Sequence, residues 1–266
     1  MRLILLLLTA LSASAAQVPL RVGEVLTFRV GWGIFLHAGD ITIAATADHS
    51  DRKPEVVVTT LTSTRGFLGQ LFPFEARADS VFDPQTSRML LHTEKSFSGR
   101  KSTSTVLQFD YAKSTASYID MVDGSKNQTV PIPQPDHPLD LIASLIQTRN
   151  WGLKPGESRE ANVIFESEIY ELTIHAVRYE TLRTPLGTFN TLVYEPRMEK
   201  TPPKGMFKRG SNVRVWISQD GEPLPVRFEV EFKFGAGVAT LTSYEPPSPP
   251  NATDAVASDD AKNSRP

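Results

Sequence analysis

The sequence predicts an all-β fold, mainly antiparallel, arranged as a single β-barrel or half-barrel-like domain with one short helix at about residues 138–149. Three observations carry this prediction. Apolar and polar residues alternate over many short runs, turn signals separate those runs, and one segment alone follows a helical period. The chain has 266 residues, 40% hydrophobic and 22% charged, with 16 Gly, 20 Pro and no Cys. That apolar share builds a core and excludes wholesale disorder. The 28 basic and 30 acidic residues leave a net charge of −2, too balanced for an electrostatic nucleic-acid binder. Without cysteine there is no thiol catalysis, disulfide, cysteine-ligated zinc or iron–sulfur cluster.

The elements follow in chain order. Arg2, the apolar run Leu3 to Leu8 and the small residues Ser12 to Ala16 read as a signal peptide over 1–16. The cut falls after Ala16, with Ala15 the alternative. The apolar run is far short of the ~18–20 residues that span a bilayer, and no later run is long enough. The expected product is an exported protein, periplasmic or secreted in a bacterium and not membrane-spanning. At the far end, residues 246–266 are Pro-rich and polar, with too little to bury to offset the entropy of ordering them. They are expected to be a disordered tail, leaving 17–245 as the β-rich domain.

Within that domain Leu26, Phe28 and Val30 alternate with Thr27 and Arg29, and Ile41 and Ile43 follow Gly39-Asp40. Val56-Val57-Val58, Thr103 to Tyr111, Tyr170 to Ala176 and Leu192 to Tyr194 read as further strands, roughly a dozen in all. The clearest is Val226 to Phe234, paired across the Asp220-Gly221 turn with Val213 to Ile217. Its Phe228, Val230 and Phe232 should enter the core. Arg227, Glu229, Glu231 and Lys233 should face solvent without catalytic duty, a charged exterior unlike that of a membrane-embedded barrel. Pro138 to Arg149 breaks this grammar. Pro opens it, Asp140 lies in its first turn, Arg149 ends it, and Leu141, Ile142, Leu145 and Ile146 form one stripe. This helix should cover a barrel mouth or an open edge.

Several segments resemble a bacterial exported-protein family designated only as domain of unknown function 3108. They are Glu24 to Gly39, Phe72-Pro-Phe74 running into Ala78-Asp-Ser80 and Asp83, and Pro138 to Leu145 followed by Arg149. Thr184 to Phe189 and, most distinctively, Val215 to Val226 complete the set. The resemblance covers most of Glu24 to Tyr244 and implies export and a β-barrel-like fold. It supplies no active site, and Asp140 stands where a small hydroxyl residue is expected.

Chemistry is sparse. The five His residues give only two tight groups with carboxylates, His37 with Asp40 and Asp136-His137 with Asp140, neither at zinc-ligand spacing. Glu166 and Glu168 would share a strand face with Glu171 on the other, which a solvated strand explains. There is no phosphate loop, dinucleotide fingerprint or nucleophile elbow. No metal, cofactor or enzymatic activity is expected. The unusual segment is Gly66 to Phe74, apolar yet broken by Gly and Pro. The favoured expectation places it inside, plugging one end of the barrel. Exposed, it would offer an apolar patch to a lipid, an apolar ligand or an envelope partner. The candidate binding residues are Phe67, Leu68, Leu71, Phe72 and Phe74, with Trp32 and Phe35 from the neighbouring turn. The expected function is non-enzymatic: a β-barrel that holds an apolar small molecule, or else an interaction module for an envelope protein.

Overall fold

The computed structural model describes residues 17–49, 53–133, 137–203, 207, 212–232 and 235–247. The expected signal peptide and all of the tail beyond residue 247 lie outside them. The strands are β1 (Val25–Trp32), β2 (Phe35–Asp48), β3 (Glu55–Thr64), β4 (Phe74–Phe82), β5 (Met89–Ser98), β6 (Lys101–Asp110) and β7 (Thr115–Asp120). They continue as β8 (Gln128–Pro131), β9 (Ser158–Phe165), β10 (Glu168–Thr184), β11 (Gly187–Arg197), β12 (Asn212–Ser218), β13 (Pro225–Phe232) and β14 (Gly235–Glu245). Two short helices interrupt them, α1 (Gly66–Leu71) and α2 (Leu141–Gln147).

All the strands belong to one 14-stranded antiparallel sheet. From β1 to β8 each strand pairs with its successor, as do those from β9 to β14, and β1 joins the two runs by pairing with β14. The first and last strands therefore meet in the middle of the sheet. Its free edges are β8 and β9, consecutive in sequence. The sheet is a half-barrel and does not close.

α2 fills the gap between those edges. Leu139 pairs in parallel with Val163 on the β9 edge, donating to the Asn162 carbonyl at 3.1 Å and accepting from the Ile164 amide at 2.9 Å. The chain then turns inward at Asp140, whose side chain caps α2 by accepting from the Ala143 amide at 2.9 Å. Ala143 and Ile146 pack with Leu26, Phe28, Phe82 and Leu107 in the larger core cluster. Leu145 packs with Val163, Leu172 and Tyr194 in a second. One helix thus ties two core regions together. Arg149 does not act as a dipole partner, as the sequence suggested. Its guanidinium is buried against Glu24 in a two-point contact of 2.7 and 3.1 Å.

The β12–β13 hairpin forms as expected, with Gly221 at φ 65° in the turn. Phe228 and Val230 are half-buried against the core, and the Phe228 ring lies 5.1 Å from that of Phe28. Phe232 and Phe234 contribute no described side chains. Glu229 departs from expectation: its side chain is only 13% exposed, paired with Arg214 at 3.1 Å and with Arg227. Cross-strand neighbours cover it, because Arg214 lies directly opposite on β12. The expected shared strand face of Glu166 and Glu168 is also absent. Glu166 sits in the β9–β10 turn at φ 52°, so the two carboxylates do not belong to one strand. No helix among the described residues is long and apolar enough to cross a membrane.

Candidate functional site

The inner face of β3–β7 grades from apolar to small and hydroxylated. Near α2 it presents Val56, Val58, Phe82, Leu107 and Tyr118, all buried. Towards the end that carries α1 it presents Thr60, Thr62, Ala76, Ala78, Thr103 and Thr105. Period-two alternation puts these residues on one face, and their small side chains leave the face unfilled. The result is a cavity of about 430 Å³ between this face, the start of α2 (its cap Asp140 with Leu141 and Ile142) and the end of β9 with the following turn (Ile164, Phe165, Glu166). Such a volume suits one small ligand.

The wall nearest α2 holds a polar chain. Ser80 on β4 and His92 on β5 are directly opposite each other. The buried Ser80 hydroxyl donates to Asp140 Oδ2 at 2.7 Å and contacts His92 Nδ1 at 2.8 Å. A hydroxyl has one proton, so with that proton on Asp140 it is His92 Nδ1–H that donates to Ser80. Asp140 thereby serves both ends at once, one oxygen on the helix cap and the other on the sheet. Glu94, Asp120, Lys126 and Glu166 also line the cavity, making it predominantly acidic. The backbone amides of Asp123 and Val122, each 2.9 Å away, hold the Asp120 carboxyl below the usual carboxylate range. No group of three or more His, Asp or Glu residues suited to a metal ion occurs among the described residues.

The seven residues singled out in the sequence divide differently. Phe74 lines the cavity. Phe67 and Phe72 are 60% and 67% exposed, and Leu71 and Trp32 are exposed as well. Leu68 is half-buried, as is Phe35, whose ring stacks on that of Phe67 at 6.3 Å. The expectation of a core plug is therefore corrected. Residues 66–71 form α1, none of whose residues is buried. Trp32 lies across β14, where a Cβ on Gly237 would come within 3.3 Å of the indole. Sequence reasoning passed over Ser80 and His92. Their signal was the inward parity of two strands joined by the Asp83 to Arg88 turn.

The model of the family described as "Protein of unknown function (DUF3108)" matches residues 27–242. The chain belongs to that family. No curated protein matches it significantly. Among solved structures, a β-barrel-like protein of domain of unknown function DUF1849 from Brucella abortus aligns with a TM-score of 0.54 at 7% identity. The alignment covers 85% of this chain and 98% of that one. It shows the shared fold and no chemistry. A Bacteroides fragilis protein described as exported, with a YmcC-like fold, aligns at 0.33 and 14% identity over 87% and 99% of the two chains. A Parabacteroides distasonis protein described as a lipoprotein aligns at 0.31 and 10% over 86% and 99%. At those scores neither likeness bears on this member of the family.

Proposed function

We propose that this chain is an exported, non-enzymatic protein of the bacterial cell envelope that holds a small amphiphile in the cavity above α2. The unfilled inner face supports this reading: about 430 Å³ lined by both apolar and hydrogen-bonding groups. Phe74, Leu141, Ile142 and Ile164 suit an apolar segment. Ser80, His92 and the threonines suit a hydroxylated head, and the surrounding carboxylates favour a neutral or cationic one over an anion. The order of the polar chain favours binding over hydrolysis. In a hydrolytic triad the imidazole stands between hydroxyl and carboxylate, whereas here the Ser80 hydroxyl stands between His92 and Asp140.

The test fills the cavity. Ala78 lines it directly opposite Thr60 and Glu94, so Ala78→Phe should occlude it. Native mass spectrometry of gently extracted protein should show a bound small molecule on the wild type and none on the variant. N-phenyl-1-naphthylamine, a neutral apolar probe, should bind the wild type at least about tenfold more tightly, a difference of about 1.4 kcal/mol. A wild type without bound molecule, and equal probe binding by both proteins, would overturn the proposal.

A further inference from the structure

We infer that the end of the half-barrel carrying α1 is a docking surface for an anionic lipid bilayer. The inference is independent of the cavity and rests on how exposed apolar side chains are distributed. The β1–β2 turn presents Trp32, Ile34 and Leu36, with Ile34 88% and Leu36 86% exposed. α1, more than thirty residues later, adds Phe67, Leu71 and Phe72 at the same end. The end of β5 contributes Phe97. Towards the opposite end the exposed large apolar side chains among the described residues are Val22, Tyr179 and Leu186, while Leu61, Met121 and Val122 lie between the two ends. Singly exposed apolar residues need no explanation, but their segregation to one end does.

Backbone amides of α1 and its flanks are already paired. The Gly69 amide donates to the Arg65 carbonyl, that of Phe72 to Leu68, that of Gly99 to Pro73, and that of Phe74 to the Thr64 hydroxyl. The protrusions can therefore enter a low-dielectric phase without leaving these amides unpaired. They are convex tips drawn from separate segments. A bilayer accepts such tips directly, whereas a protein partner would have to supply a matching recess for each.

Charge selects the kind of bilayer. The chain as a whole is net negative, yet the corner beside α1 carries Arg65, Arg77, Lys95, Arg100 and Lys101 against Asp40, Glu75 and Asp79. Two of those carboxylates are engaged locally, Asp40 by Arg65 and His37 and Asp79 by Arg77. Lys95, Arg100 and Lys101 flank Phe97 around the β5–β6 turn, beside the apolar tips, where an anionic surface attracts them.

The experiment is co-sedimentation with vesicles of equimolar phosphatidylglycerol and phosphatidylcholine, and with phosphatidylcholine alone. The protein is expressed from its full sequence, and its N-terminus is established by intact mass. The wild type should bind the anionic vesicles, with a blue shift of Trp32 fluorescence, and high salt should weaken that binding. Phe67→Ser with Phe72→Ser, and separately Arg100→Glu with Lys101→Glu, should each reduce it by roughly tenfold or more. Melting temperatures should not change, since the substituted side chains are exposed. Ala78→Phe should bind vesicles as well as the wild type, which separates this inference from the cavity proposal. Failure of the wild type to bind either vesicle overturns the inference. So does undiminished binding by the Phe variant, or a wild-type dimer that this variant dissolves, which would make a second copy the occupant.

Discussion

Glu24 is held at five points. Its side chain is fully buried, yet its oxygens receive two bonds from Arg149, two from Arg21 (one from the backbone amide) and one from the Tyr244 hydroxyl. Burial alone would push its pKa up. The hydrogen bonds from Arg149 and Arg21, with the charge of Arg149, outweigh burial and bring it down to about 2. A carboxyl depressed by folding stabilises the fold at pH values above its unfolded pKa and loses that contribution as pH falls towards its folded one. The urea midpoint of the wild type should therefore drop between about pH 4.5 and pH 2. Glu24→Gln should flatten that dependence and cost about 3–5 kcal/mol at neutral pH, because Arg149 would stay buried without its counter-charge. A variant as stable as the wild type in urea would show that the pair does not hold the turn after α2 to the start of β1.

At the scale of elements, α2 and the β12–β13 hairpin make separate demands. Asp140→Ala removes the cap of α2 and the acceptor of Ser80 together, a loss of about 1–2 kcal/mol. In the hairpin, the Phe228 ring bridges the two core clusters, and Phe228→Ala should cost about 3 kcal/mol. Glu231→Ala should stay within about 0.5 kcal/mol, as exposed substitutions do. Glu229→Ala should fall between them, at about 1–2 kcal/mol, since Arg214 and Arg227 converge on it. Thermal melts of the three variants rank the strand's positions. A loss for Glu229→Ala as small as that for Glu231→Ala, both within about 0.5 kcal/mol, would mean that the charge row across β11, β12 and β13 contributes nothing.

At the scale of the whole molecule, the unclosed sheet has a weak side and a strong side. β8 is a four-residue edge strand, while β1 and β14 are flanked by strands on both sides. Hydrogen exchange should be fastest along β8, even though it lies mid-sequence. It should be slowest along β1 and β14, although these are the first and last strands. Early opening of β1 or β14 would contradict the pairing that joins the two runs of strands. The same topology gives the segment around α2 two roles: Leu139, just before the helix, covers part of the β9 edge, and α2 packs Ala143 and Ile146 into the core.

Much of this was legible one segment at a time. The alternation in Val226 to Phe232, the Asp220-Gly221 turn and the Asp140 cap each depend on residues a few positions apart, so sequence alone determined strands, hairpin and helix. The family resemblance was legible too, through runs such as Val215 to Val226. Alternation says that one face is buried without saying what lies opposite. The pairing of β1 with β14 and the encounter of Glu24 with Arg149, 125 residues apart, were decided by tertiary structure. So were the meeting of Ser80, His92 and Asp140 and the outward turn of Phe67 and Phe72. The physical reason is the same in each case. Apolar burial is non-directional, and only the packing of the complete chain determines which apolar segment is enclosed and which is left at the rim.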